Sequence, residues 1–150
     1  MDLSGASLGS ASLKHASLRG ALLLQARLHH THLFGADLSG ANLGAAWAPE
    51  CAFETAVLEE AVLVNAYLSE SSFEAADLRS TRLEEANLTR VRLVRADLWM
   101  AELQGANLAG ADLTSANLCG ADLRRCNLED AVLHSIRTDR GTRWPRGYPI

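Results

Sequence analysis

Four glutamates, Glu50, Glu54, Glu70 and Glu74, stand at offsets of four and twenty residues from one another, and two aromatic residues, Trp47 and Tyr67, share the twenty-residue spacing. The segments WAPE (47–50) and YLSE (67–70) carry the relation in full. Carboxylates held close together repel, and that repulsion raises the pKa of one member toward general-acid work. Such chemistry also needs a cleft to hold substrate. Four of the five histidines, His15, His29, His30 and His32, lie within one short stretch. No cysteine or carboxylate completes a set with zinc-ligand spacing around them, so no metal is expected. His134 precedes Ser135, a base beside a hydroxyl. Nothing in the sequence resembles a nucleophile elbow or a phosphate loop, so no catalytic residue and no cofactor are assigned.

The elements that position these residues follow from a period of five. Leucine recurs in one frame from Leu3 to Leu133, replaced by Ala48, Phe53 and Phe73. Two residues before each stands a small side chain, mostly alanine, with Thr31, Cys51, Ser71, Thr81, Val91 and Cys126 as substitutes. On an α-helix such a spacing leaves no single apolar face. On a continuous strand it would send successive leucines to opposite faces. Each pentapeptide is therefore one unit of a stacked repeat, a short extended side with leucine inward and a turn at each corner. The residue before the leucine is often Asp or Asn, as at Asp37, Asn42, Asp77, Asn87, Asp97, Asn107, Asp112, Asn117, Asp122 and Asn127. Those short polar side chains bond nearby backbone groups and support tight turns.

Runs such as ADLSGANLG (36–44) and ANLAGADLTSANLCGADLRRCNL (106–128) resemble the pentapeptide-repeat family, whose pattern is Ala-(Asp/Asn)-Leu-x-x. The resemblance covers roughly residues 2–135. It implies an all-β fold, a right-handed quadrilateral β-helix (a pentapeptide-repeat solenoid) of about seven coils of twenty residues, with neighbouring coils spaced ~4.8 Å apart. Residues 1–135 form the β-helix, and residues 136–150 a short irregular C-terminal cap. In that tail Pro145, Gly147 and Pro149 oppose regular structure, and Trp144 and Tyr148 offer rings to cover the last coil.

Composition fits one domain. The chain has 150 residues, a formal net charge of −4 and three cysteines. An odd cysteine number argues against a disulfide framework, and no signal peptide or membrane-length apolar run is visible. A cytoplasmic location, no membrane and no direct nucleic-acid partner are therefore expected.

Reading the frame twenty residues at a time converts sequence into a surface map. Glu50 and Glu70 share a corner, Glu54 and Glu74 share the next column, and Trp47 and Tyr67 stack on the preceding side below Arg27. Residues 28–78 contain no Lys or Arg, whereas Arg79, Arg82, Arg90, Arg92 and Arg95 follow. On another side Leu22, Leu24, Val62 and Val64 project outward around Asn42 and Gly44, a candidate apolar interface. Glycine, frequent at corners toward both ends, is absent between Gly44 and Gly105. Departures from the repeat at exposed positions make the middle the candidate place for a binding surface, with drift of the repeat as the alternative.

Three readings remain open. The first is a non-catalytic scaffold that presents the acidic, aromatic face of Trp47, Glu50, Glu54, Tyr67, Glu70 and Glu74 to a protein partner. The second is what the family resemblance implies: a mimic of DNA that binds DNA gyrase and protects it from topoisomerase poisons. The third is an accessory protein with a small-molecule or catalytic site on a surface or interface. A homodimer through an end or through the apolar side accompanies any of them.

Overall fold

The computed structural model describes residues 1–149. Its backbone is a stack of single-residue parallel bridges joined by turns, with no helix among the described residues. Every bridge but the last joins residues twenty apart, as in Asp2 to Leu22 to Asn42 to Val62 to Arg82. Four such ladders run along the molecule, begun by Asp2, Ser7, Ser12 and Ser17.

One repeat shows why the sequence takes this path. Leu23 turns its side chain inward, and its N–H donates to the Asn42 carbonyl at 2.7 Å, while the Asn42 N–H donates to Ala21 at 2.9 Å. The corner closes through the Ala26 N–H on the Leu23 carbonyl at 3.0 Å. Leucine fills the interior of the side, and alanine fits where the chain turns in. The two are buried throughout the middle coils. Phe53 and Phe73 occupy one inward column between Leu33 and Leu93, with ring centroids 4.5 Å apart and planes 4° from parallel. Ala48 is the small residue of the coil in which Phe53 is the large one, which limits the crowding that an inserted ring brings.

The residue before each leucine holds the corner from outside. All ten Asp and Asn residues expected to brace turns accept a hydrogen bond from the N–H two residues on, from Asp37 with Ser39 at 3.0 Å to Asn127 with Glu129 at 3.0 Å.

The fifth position of every repeat adopts positive φ. Gly20 (63°) and Gly40 (62°) do so, and so do Glu50 (54°), Thr55 (57°), Glu70 (59°) and Ala75 (54°). The glycine-free middle therefore keeps the same backbone path as the ends. Its distinctness lies in side chains alone.

The ladder runs past residue 135. Asn117 bridges Arg137, and Asp122 bridges Arg143, a spacing of twenty-one that takes up one extra residue. Asp139 organises that turn: its Oδ1 accepts N–H bonds from Gly120 at 2.8 Å, Gly141 at 2.9 Å and Thr142 at 3.1 Å. Ile136, Trp144 and Tyr148 pack against the core, the two rings stacked at 5.3 Å. At the opposite end Leu3, Leu8 and Leu13 are partly exposed.

Candidate functional site

The second and third ladders and the corner between them carry the residues singled out in the sequence. Trp47 and Tyr67 bridge one another on the second ladder and stack with centroids 4.4 Å apart, yet remain 46% and 41% exposed. Their backbones are fixed by ladder bonds on both sides, so the rings stand on a rigid support. Glu50 and Glu70 follow at the corner. Beyond it, the third ladder passes through His32, Ala52, Ser72 and Arg92, and Glu54 and Glu74 flank its far edge. The small Ala52 leaves a shallow, open depression of about 330 Å³ bordered by His30, His32, Glu50, Glu54, Glu70 and Ser72.

The four carboxylates are not equivalent. Glu74 is held by Arg92 at 3.0 Å and by Arg95, and Glu70 is paired with Arg90. Glu50 faces the His30 imidazole at 3.5 Å, and Glu54 makes no ion pair among the described residues. Arginine thus relieves the stacked repulsion on the lower coil and not on the upper one. Arg79 likewise pairs with Glu59 at 3.3 Å and with Asp77 at 2.6 Å. The Arg79 guanidinium, by hydrogen bonding, holds the Asp77 carboxyl below its usual range. The assignment of Arg79 to Glu59 and of Arg90 to Glu70 follows from the twenty-residue frame. The double clamp on Glu74 joins residues eighteen and twenty-one apart, which same-column counting does not reveal.

Phe34 is an exposed aromatic that sequence reasoning passed over. It stands 42% exposed, with His15 edge-on at 5.4 Å, above Glu54 in the same column. Its place one residue after Leu33 is an outward position of the frame, so the signal was there. The histidines do not converge. Among the described residues no three His, Cys, Asp or Glu side chains come together as metal ligands.

Leu22 and Leu24, 42% and 41% exposed, share the first ladder's side with the half-buried Val62 and Val64, around an open depression of about 560 Å³ at Asn42 and Gly44. Trp144 and Tyr148 lie at the C-terminal end, apart from both surfaces. Cys51 and Cys126 are buried alanine substitutes whose thiols donate to the carbonyls of Leu28 and Leu103. Burial pushes both thiols up to about 12. Cys119 is partly exposed.

The molecule is a parallel β-solenoid with a filled core, and its chemistry is confined to outward columns. It belongs to the pentapeptide repeat family, whose model matches residues 2–40, 36–74, 71–110 and 101–135. The chain is similar to HetL of the cyanobacterium Nostoc sp. strain PCC 7120, a pentapeptide repeat protein involved in heterocyst differentiation regulation. Identity is 36% over 91% of this chain and 65% of that one, with a TM-score of 0.54. The chain thus spans just under two thirds of HetL. It is also similar to a pentapeptide repeat protein of the Arabidopsis thaliana thylakoid lumen, at 26% identity over 77% of this chain and 66% of that one, with a TM-score of 0.52. A trypsin-treated form of QnrB1, a plasmid-mediated fluoroquinolone resistance protein, is 20% identical over 89% of this chain and 90% of that one. Its TM-score is 0.39, and only the fold is shared. Comparison with curated proteins finds no match. No helix among the described residues is long and apolar enough to cross a membrane.

Proposed function

We propose that the chain is a non-catalytic protein-interaction scaffold, a right-handed rod of about seven coils whose acidic, aromatic side engages a protein partner. The observation that carries this reading is the Trp47–Tyr67 stack, two large rings left more than 40% exposed on a rigid ladder. Exposed aromatics on a preorganised surface are the residues that anchor protein contacts, because little side-chain entropy remains to be lost on binding. Glu50, at the corner beside the rings, and Glu54, on the next side, have no arginine partner among the described residues and set the polarity of the partner. The interior, filled by Leu, Ala and Phe, supports the same reading, since it places every polar group of the site on the surface. A regulatory role of the kind named for HetL is the biological setting that similarity suggests.

The topoisomerase-directed role has weaker support. Mimicry of DNA needs a continuous run of unpaired acid, and here Arg79, Arg90, Arg92 and Arg95 neutralise the acid of the middle coils.

Affinity capture with the full chain tests the scaffold. A partner retained by the native protein should be lost from Trp47→Ala/Tyr67→Ala and retained by Asn117→Ala on the fourth ladder. Equal capture by all three would refute the assignment of this side. A supercoiling assay addresses the alternative: gyrase unaffected by micromolar protein would end it.

A further inference from the structure

The side built on Asp2, Leu22, Asn42, Val62 and Arg82 changes character along its length. Leu22 and Leu24 head an apolar stretch that continues through Gly44 to Val62 and Val64, and charge resumes at Arg82 and Glu84. Leu24 leans toward the next coil, since a Cβ built on Gly44 would lie 3.1 Å from Leu24 Cδ2. Leu24 thus reaches over Gly44 at the edge of the open depression, and Asn42 and Gly44 lie at the centre of the apolar stretch.

We propose that this side joins a second copy of the chain in an antiparallel, two-fold symmetric homodimer centred on Asn42 and Gly44. The pattern is self-complementary about that coil. A two-fold axis lying across the side reverses the ladder end for end and keeps each outward column opposite itself. Leu22 then meets the second copy's Val62, and Leu24 meets its Val64. Asp2 faces the second copy's Arg82, Gln25 faces its Asn65, and Asn42 meets Asn42. Every contact off the axis occurs twice, and the Asn42 pair lies on it, as an isologous interface requires. No pair of like charges is opposed, because Glu84 lies against the second copy's Ser4.

The charges decide between this and the parallel arrangement. A parallel two-fold would also cover the lower half of the side, where Arg82 and Glu84 pair at 3.0 Å and Arg124 and Asp122 pair at 2.6 Å. Stripping water from that set opposes association. The antiparallel arrangement covers the apolar half and leaves Asp2 and Arg82 at the rim, where opposite charge gives register. It also leaves the neighbouring side with Trp47 and Tyr67 uncovered, so it is independent of the function proposed above. Contact over about five coils at ~4.8 Å each is small for a protein interface, so weak, concentration-dependent association is expected.

Sedimentation velocity of the full chain from ~5 to ~500 µM tests the proposal. The native protein should pass from monomer to dimer across that range, and Leu24→Glu should stay monomeric with an unchanged unfolding temperature. Arg82→Asp and Asp2→Arg should each weaken association at least about tenfold, and the two together should recover the native constant to within about threefold. A native protein that stays monomeric throughout would overturn the proposal. So would a Leu24→Glu variant that still dimerises. Dimerisation without rescue by the double charge reversal would overturn the antiparallel register.

Discussion

Two adjacent serines show how differently one side chain can serve this fold. In an ordinary repeat the N–H at the alanine position closes the corner on the carbonyl of the preceding leucine position, as Ala46 does on Leu43 at 3.0 Å. At the corner containing Pro49 the Ser71 hydroxyl takes the place of that bond, accepting from the Cys51 N–H at 2.9 Å and donating to the Ala48 carbonyl at 2.9 Å. Ser71 is fully buried. Removing its hydroxyl leaves a buried donor and a buried acceptor unpaired, so Ser71→Ala should destabilise the protein by about 1–3 kcal/mol. Ser72, one residue on, buries its hydroxyl without a hydrogen-bond partner. Ser72→Ala removes an unsatisfied group and should be neutral or mildly stabilising. Urea unfolding of the pair checks both signs, and equal losses would refute the distinction. The frame makes Ser71 visible as an inward small residue but not as a bridge, because that role depends on Ala48 and Pro49 in the coil above.

At the level of the corner, position in the repeat decides conformation and residue type decides how much strain it holds. Thr55, a β-branched residue at φ 57°, is the costliest kind of occupant for this left-handed region. Thr55→Gly should therefore raise stability by up to about 1 kcal/mol, the relief of strain exceeding the entropy that glycine adds to the unfolded chain. An unchanged or lower midpoint in urea would show that the corner is not strained. The sequence points to glycine as the sign of a corner, yet the ladder bonds hold Glu50, Ala75 and Met100 in the same conformation. The C-terminal turn is the element least legible beforehand, since its extra residue breaks the frame. It is held by Asp139, whose carboxyl is kept below its usual range, first by the Gly120 N–H. Asp139→Ala should loosen this turn, raising hydrogen exchange at Gly120, Gly141 and Thr142 while the middle coils stay protected. Unchanged protection there would mean that Trp144 and Tyr148 hold the tail unaided.

Across the whole rod, the fold was legible because one rule, leucine in and a turn after, is written more than twenty times. The candidate site was legible only as columns: Trp47 over Tyr67 and Glu70 over Arg90 follow from counting, whereas the Arg92 and Arg95 clamp on Glu74 needs side-chain reach in three dimensions. The same repetition sets how stability responds to pH. Asp37, Asp77, Asp112 and Asp122 are held below the ordinary carboxylate range, chiefly by side-chain hydrogen bonds from Ser39, Arg79, Thr114 and Arg124, and Asp139 by the Gly120 N–H. A depressed folded-state pKa gives stability that is complete above the unfolded value and lost as pH falls through the folded one. The unfolding temperature should accordingly change little between about pH 7 and 5 on this account and fall below about pH 4. At alkaline pH a decline is expected from Cys51 and Cys126. Their folded values of about 12 exceed the unfolded thiol value of about 8.5, so their contribution is complete below 8.5 and declines as pH rises toward 12. Replacing both by alanine, the usual residue at their position, should flatten the decline above about pH 9 relative to the native protein. The two thiols should also resist modification until the protein unfolds, with Cys119 alone reacting in the folded state. An alkaline decline of equal slope in the native protein and the double alanine variant would place the limit elsewhere in the rod.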